Sequence, residues 1–148
     1  MLLLRIDSEM KDAARARDAK RLTLLRALKS ALKYREIEKG AELDDVAVIH
    51  CVQVQIKQRR DAAAQFTAGN RPELAQNELD EIAMLEKFLP QQLTDAELDA
   101  MAVAAVAKAG VKDAKGMGAV MKVLQPEVAG RAEGRRVSDA VKKALATA

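Results

Sequence analysis

Apolar residues recur along most of this chain at steps of three and four, the period of a helix with one buried face, and no strand is read from the pattern. Leu3, Ile6, Met10 and Ala13 make one such series and predict a first helix with Lys11, Arg15 and Arg17 largely off its buried face. A second helix is expected from about 21 to 38, burying Leu25, Leu28 and Leu32, with Gly40 just past its end where a left-handed residue closes a helix. Leu43-Asp44-Asp45 opens a third, its carboxylates in the first turn where the macrodipole favours them. That pattern runs through Val46, Ile49, Gln53, Ile56 and Ala63 to Phe66-Thr67, and Ala68-Gly69-Asn70 breaks it. Arg71-Pro72-Glu73 starts a fourth helix with proline at or near its first position. Leu74, Ile82, Leu85 and Leu89 are its expected buried stripe, flanked by Ala75 and Leu79.

Residues 85–98 form the corner on which the pattern turns. Pro90 lacks an amide hydrogen and disfavours helix in the residue before it, so the helix reaching Phe88-Leu89 should stop there. Thr94-Asp95-Ala96-Glu97 has capping-box spacing, and Leu93 and Leu98 fall where a hydrophobic staple requires them. Beyond the corner, Leu98, Met101, Ala102, Ala105 and Val106 share one face, closed by Gly110. Asp113 is a candidate cap for a sixth helix with Met117, Val120, Met121 and Leu124 inward, and Pro126 should end or kink it. Residues 130–134 read as a turn before a last helix carrying Val137, Ala140, Val141, Ala144 and Leu145. The prediction is an all-α protein: an amino-terminal helical bundle over 1–90 and a small three-helix domain over 91–148.

Composition agrees with this pattern. Apolar residues make up 49 % and charged residues 32 %, enough for both a core and a soluble surface. Aromatics are only 2 %, so the cores must be aliphatic. A net charge of +3 permits an anionic partner without demanding one. Cys51 is the only cysteine, which excludes an internal disulfide and favours a reducing compartment. The opening Met-Leu-Leu-Leu is interrupted by Arg5 and Asp7, too soon for a secretory leader or a membrane span. The expected setting is cytoplasmic, with no membrane partner.

Candidate chemistry is sparse. His50 and Cys51 are adjacent and so point about 100° apart on a helix, a poor nucleophile and base. With no second histidine or cysteine, neither a metal site nor a catalytic constellation is expected, and no cofactor. The acidic Glu73, Glu78, Asp80, Glu81 and Glu86 read as a solvated helix face. Basic residues are more suggestive: eight lie between Arg15 and Arg35 against Asp18 alone, and Arg26, Lys29 and Lys33 share a stripe. A solvated face, partly paired with the acidic fourth helix, accounts for that stripe; contact with phosphate or a protein is the other reading. Gly116 and Gly118 sit at or inside a helix start, where glycine costs about 0.5–1 kcal/mol relative to alanine. Close packing or close approach of a ligand would offset that cost. Gly130-Arg131-Ala132-Glu133-Gly134-Arg135-Arg136 combines glycines, arginines and a helix N-terminus, the ingredients of a phosphate-binding corner. A plain helical-hairpin turn with solvated arginines explains it equally. The candidate phosphate-contacting set is Lys115, Gly116, Gly118, Gly130, Arg131, Arg135 and Arg136, with Arg26, Lys29 and Lys33 as a secondary stripe.

Leu85-Glu86-Lys87-Phe88-Leu89-Pro90-Gln91-Gln92-Leu93-Thr94 resembles the junction of the GatB/YqeY family. Gln55-Ile56-Lys57-Gln58-Arg59-Arg60-Asp61-Ala62 and Gly69-Asn70-Arg71-Pro72-Glu73-Leu74-Ala75 are similar to its long helix and following turn. Met117-Gly118-Ala119-Val120-Met121-Lys122 and Gly130-Arg131-Ala132-Glu133-Gly134 are similar to its carboxy-terminal signature. The resemblance implies two helical parts, related to the tail of the B subunit of glutamine-dependent tRNA amidotransferases. There the tail is associated with holding tRNA, and the chemistry lies in a separate cradle. Those tails commonly carry Asn-Pro where this chain has Glu133-Gly134. The resemblance thus implies a non-catalytic, tRNA- or structured-RNA-associated module. The alternatives are a protein-interaction module partnering the tRNA-aminoacylation pathway, and accessory activity as a carbon–nitrogen ligase.

Overall fold

The computed structural model describes all 148 residues, and it is all-helical. Its seven α-helices form two compact units, Met1–Leu89 and Pro90–Ala148. In the first unit α1 (Leu2–Arg15) pairs with α2 (Ala19–Lys39), and α3 (Asp45–Ala68) pairs with α4 (Pro72–Glu86). These two hairpins close around Ile6, Leu25, Leu28, Leu32, Val48, Val52 and Leu85, all essentially without solvent exposure.

Local chemistry sets most of the boundaries. Asp18 and Asp44 accept the Arg21 and Ala47 amides, at 3.2 and 2.9 Å, and so cap α2 and α3. Gly40 closes α2, and Pro72 is the first residue of α4. At the far end of α4, Arg5 donates to the Lys87 carbonyl at 2.7 Å and lays its guanidinium over the Phe88 ring, 5.1 Å from the centroid.

In the second unit α5 (Asp95–Ala109), α6 (Met117–Val128) and α7 (Gly134–Ala146) surround Leu98, Ala102, Val120, Leu124, Val128, Val137 and Val141. Every residue of this core is aliphatic. A single 3-10 turn, Ala114–Gly116, precedes α6 and packs on α6 and α7. The cap of α5 is the expected one. The Glu97 amide donates to Thr94 Oγ1 at 3.2 Å, and the Thr94 amide donates to Glu97 Oε2 at 3.0 Å, while Leu93 and Leu98 are buried beside it. Thr94→Ala should therefore lower stability by about 0.5–2 kcal/mol. An unchanged denaturation midpoint would show that the cap contributes nothing.

Several sequence expectations need correction. The core face of α3 is Val48, Cys51, Val52 and Ile56; Val46 is exposed and Ile49 only half-buried. On α4, Ala75 faces inward, Leu74 is half-buried and Leu79 is exposed. That helix ends at Glu86, and Phe88 and Leu89 lie in a closing turn. Pro126 does not end α6, which continues to Val128: in the last turn the missing amide forfeits one bond while the helix still packs through Val128. Asp113 caps the 3-10 turn, through the Lys115 amide at 3.0 Å, and not α6. Gly134 belongs to α7 and not to the preceding turn.

Candidate nucleic-acid interface

The glycine- and arginine-rich segment is a turn bound to the extended stretch that enters α5. Gly130 is buried with φ +76°, in the left-handed region that a side chain makes costly. Its carbonyl accepts from Gln92 Nε2 at 2.8 Å. The Leu93 amide donates to the Arg131 carbonyl at 2.8 Å, and Arg131 Nε donates to the Gln91 carbonyl at 3.3 Å. Arg136 reaches the same stretch: its guanidinium donates to the Leu93 carbonyl at 2.8 Å and to Asp95 Oδ1 at 2.8 and 3.1 Å. Arg131 and Arg136 are thus engaged within the unit. Arg135 is exposed and has no hydrogen bond or ion pair.

The candidate residues do not gather at one point. Lys115, Gly116 and Gly118 stand where α6 begins, and Gly130, Arg131, Arg135 and Arg136 lie beyond its end. Ten residues of helix, 119–128, lie between the two groups, roughly 15 Å at 1.5 Å per residue. Lys115 is exposed, and its ammonium has no partner. Gly116 has a packing explanation. A β-carbon there would lie 2.4–2.7 Å from the side-chain carbons of Val111. Gly118 has no such neighbour, and a β-carbon there would meet open space.

The secondary stripe lies in the other unit and is mostly paired. Lys29 forms an ion pair with Asp7 of α1, and Lys33 lies 4.0 Å from Glu36. Arg26 is exposed and unpaired. The acidic face of α4 is matched instead by α3: Arg59 lies between Glu78 and Glu81, and Arg60 approaches Glu86 at 3.8 Å. These cross-helix pairs depend on which helices are neighbours, which the charge pattern of one helix does not reveal.

Cys51 is buried and His50 exposed. Burial pushes the thiol up from its ordinary value, while the nearby Arg35 guanidinium pulls the other way. A protonated buried thiol is a weak nucleophile. No group of three or more His, Cys, Asp or Glu residues could hold a metal ion. No helix is long and apolar enough to cross a membrane.

What fold and surface define together is a small all-helical protein with an aliphatic carboxy-terminal core and unpaired cations bracketing α6. The family description "Yqey-like protein" matches residues 3–145, and the chain belongs to that family. Among curated proteins, it is similar to the protein named "Altered inheritance of mitochondria protein 41, mitochondrial" in three yeasts. The Lachancea thermotolerans protein is 34 % identical over 98 residues, covering 64 % of this chain and 52 % of the relative. The Saccharomyces cerevisiae (strain YJM789) protein is 30 % identical over 95 residues, covering 64 % and 51 %. The Kluyveromyces lactis protein is 32 % identical over 84 residues, covering 56 % and 45 %. The chain spans about half the length of these relatives. Their names contradict the expected cytoplasmic setting, because they are mitochondrial proteins. That expectation rested on a lone cysteine, which argues for a reducing compartment, and on reading the opening residues as neither a secretory leader nor a membrane span; neither ground distinguishes one reducing compartment from another.

Proposed function

We propose that the chain is a non-catalytic RNA-associated module whose carboxy-terminal unit meets tRNA, or another structured RNA, along its phosphate backbone. The supporting observation is the pair of cations left free at the two ends of α6, Lys115 and Arg135. Two cationic points separated by a helix length suit a strand of phosphates better than one small anion. Gly118 adds an exposed stretch of backbone that a phosphate can approach without meeting a side chain. In this reading Arg131 and Arg136 are positioning groups that hold the turn on which Arg135 stands. The unit contains no aromatic residue, and base stacking needs one, so recognition is by charge and shape. The resemblance to amidotransferase tails points to tRNA as the first RNA to test.

The experiment is fluorescence anisotropy of labelled tRNA at several salt concentrations. The Lys115→Glu/Arg135→Glu variant should lose binding while its helical circular dichroism stays as in the parent. The milder Lys115→Gln/Arg135→Gln variant should reduce the slope of log K against log salt by about 1.5, the share of two phosphate contacts. Binding by the charge-reversed variant equal to the parent's would overturn the reading and leave protein docking as the better account.

A further inference from the structure

The amino-terminal unit contains a cleft that the RNA reading does not use. The last turns of α2 and the first turns of α3 flank a space of about 320 Å³, at the lower end of the range for small-molecule sites. Its floor is Leu43, Ala47 and Cys51, two of them buried and the third half-buried. Its rim is Arg35 and Lys39, one helical turn apart on α2, and His50 on α3. Glu38 is the one carboxylate on the lining. Arg35, Lys39 and His50 are exposed and carry no hydrogen bond or ion pair, unlike Lys29 and Lys33 on the preceding turns of α2. Because burial keeps the Cys51 thiol protonated, the floor is uncharged.

Other exposed apolar residues lie on the same elements. Tyr34 and Ile37, on the same turns of α2, are 65 % and 71 % exposed, and Val46, in the first turn of α3, is 73 % exposed. The Leu2 amide donates to Asp45 Oδ1 at 2.9 Å, which brings the start of α1, with exposed Met1 and Leu4, to the same end of the unit. Single exposed apolar residues are ordinary, but here five of the chain's seven large ones stand where α1 begins, α2 ends and α3 begins.

We infer that this cleft binds a small amphiphilic anion, its apolar chain against Leu43, Ala47 and Cys51 and its carboxylate or phosphate head on Arg35 and Lys39. A guanidinium fork matches both heads, and the flexible lysine serves as a second point charge. A free amphiphile and the headgroup of an anionic bilayer share this chemistry. The position of the apolar floor between α2 and α3 commits the site to the free molecule, since a chain anchored in a bilayer cannot leave it to fill a cleft between helices.

The test is a titration of the isotope-labelled protein, following the backbone amides of Ala47, His50 and Cys51 by NMR. Octanoate and octyl phosphate should give saturable shifts at these amides, whereas acetate, which lacks the chain, and octylammonium, which reverses the head, should not. Arg35→Gln should weaken octanoate binding roughly ten-fold, the loss of one charge-assisted hydrogen bond at a partly exposed site. Ala47→Phe should abolish binding by filling the cleft. Arg35→Gln alters only an exposed side chain and keeps the test valid if Ala47→Phe fails to fold. Equal binding of octanoate and octylammonium would overturn the inference, as would saturable shifts confined to other residues or no shifts at all. Binding to phosphatidylglycerol vesicles without binding to octanoate would also overturn it and assign the surface to a bilayer.

Discussion

Truncating Leu124 to alanine should unfold the carboxy-terminal unit while the amino-terminal helices keep their protection against hydrogen exchange. Leu124 is fully buried at the centre of the α5–α6–α7 core, which contains no aromatic side chain able to swing into a void. Leucine-to-alanine changes at such sites cost about 2–5 kcal/mol, the transfer of the lost methyl groups plus the cavity they leave. A unit of about 60 residues buries a modest share of its surface and has only a few kcal/mol to lose. We expect amides of α5, α6 and α7 to exchange near the unfolded rate in this variant, and those of α2 and α3 to stay slow. Simultaneous loss of protection in α2 and α3 would mean that the two units do not unfold independently. If the cost is at the lower end, the same variant will show a lowered midpoint confined to one of two unfolding transitions.

Gly116→Ala should be nearly as damaging for a different reason, and a second substitution should repair it. The added methyl would sit 2.4–2.7 Å from the three side-chain carbons of Val111, inside contact distance of a branched and stiff side chain. Overpacking of this kind costs about 1–3 kcal/mol. Removing the opposing side chain should recover most of that loss, so Gly116→Ala/Val111→Gly should be more stable than the two single changes sum to. A double-mutant cycle from urea denaturation reads this coupling, expected at about 1–2 kcal/mol. Strict additivity would show that Gly116 is kept for another reason, such as ligand approach, and would return it to the candidate interface.

Local signals carried the fold a long way. Asp44-Asp45 at the start of α3, Pro72 at the start of α4, Gly40 after α2 and the Thr94–Glu97 box all act through neighbours a few residues away, and each did what its chemistry dictates, whereas Asp18, which caps α2 equally locally, was not read as a cap. Facing was less legible. On α3 apolar residues lie nearly all around, so Val46, Ile49 and Val48 compete for the inward position, and only packing against α1, α2 and α4 selects Val48. The prolines show the same division: Pro72 was readable because its role is local, whereas the tolerance of Pro126 depends on Val128 being held in the core.

The candidate interface divides in the same way. A run of Gly and Arg was visible, and so was its place before a helix. Which arginine is free was not, because Arg131 and Arg136 are occupied by Gln91, Leu93 and Asp95, about forty residues earlier in the chain. Gln92 was likewise missed, since nothing in its neighbourhood marks it as the donor to Gly130. The Arg35–Lys39 cleft had a faint signal, two cations one turn apart facing a stretch with Ala47, His50 and Cys51 on one side, but only the α2–α3 pairing makes it a space.

The wholly aliphatic core of the carboxy-terminal unit also makes that unit optically silent. All three aromatic residues, Tyr34, Phe66 and Phe88, lie in the amino-terminal unit, and there is no tryptophan anywhere. Near-ultraviolet absorbance, circular dichroism and intrinsic fluorescence therefore report on one half of the chain alone. A single tryptophan at half-buried Met101 would emit against a dark background, and its colour would follow the folding of the other half without interference.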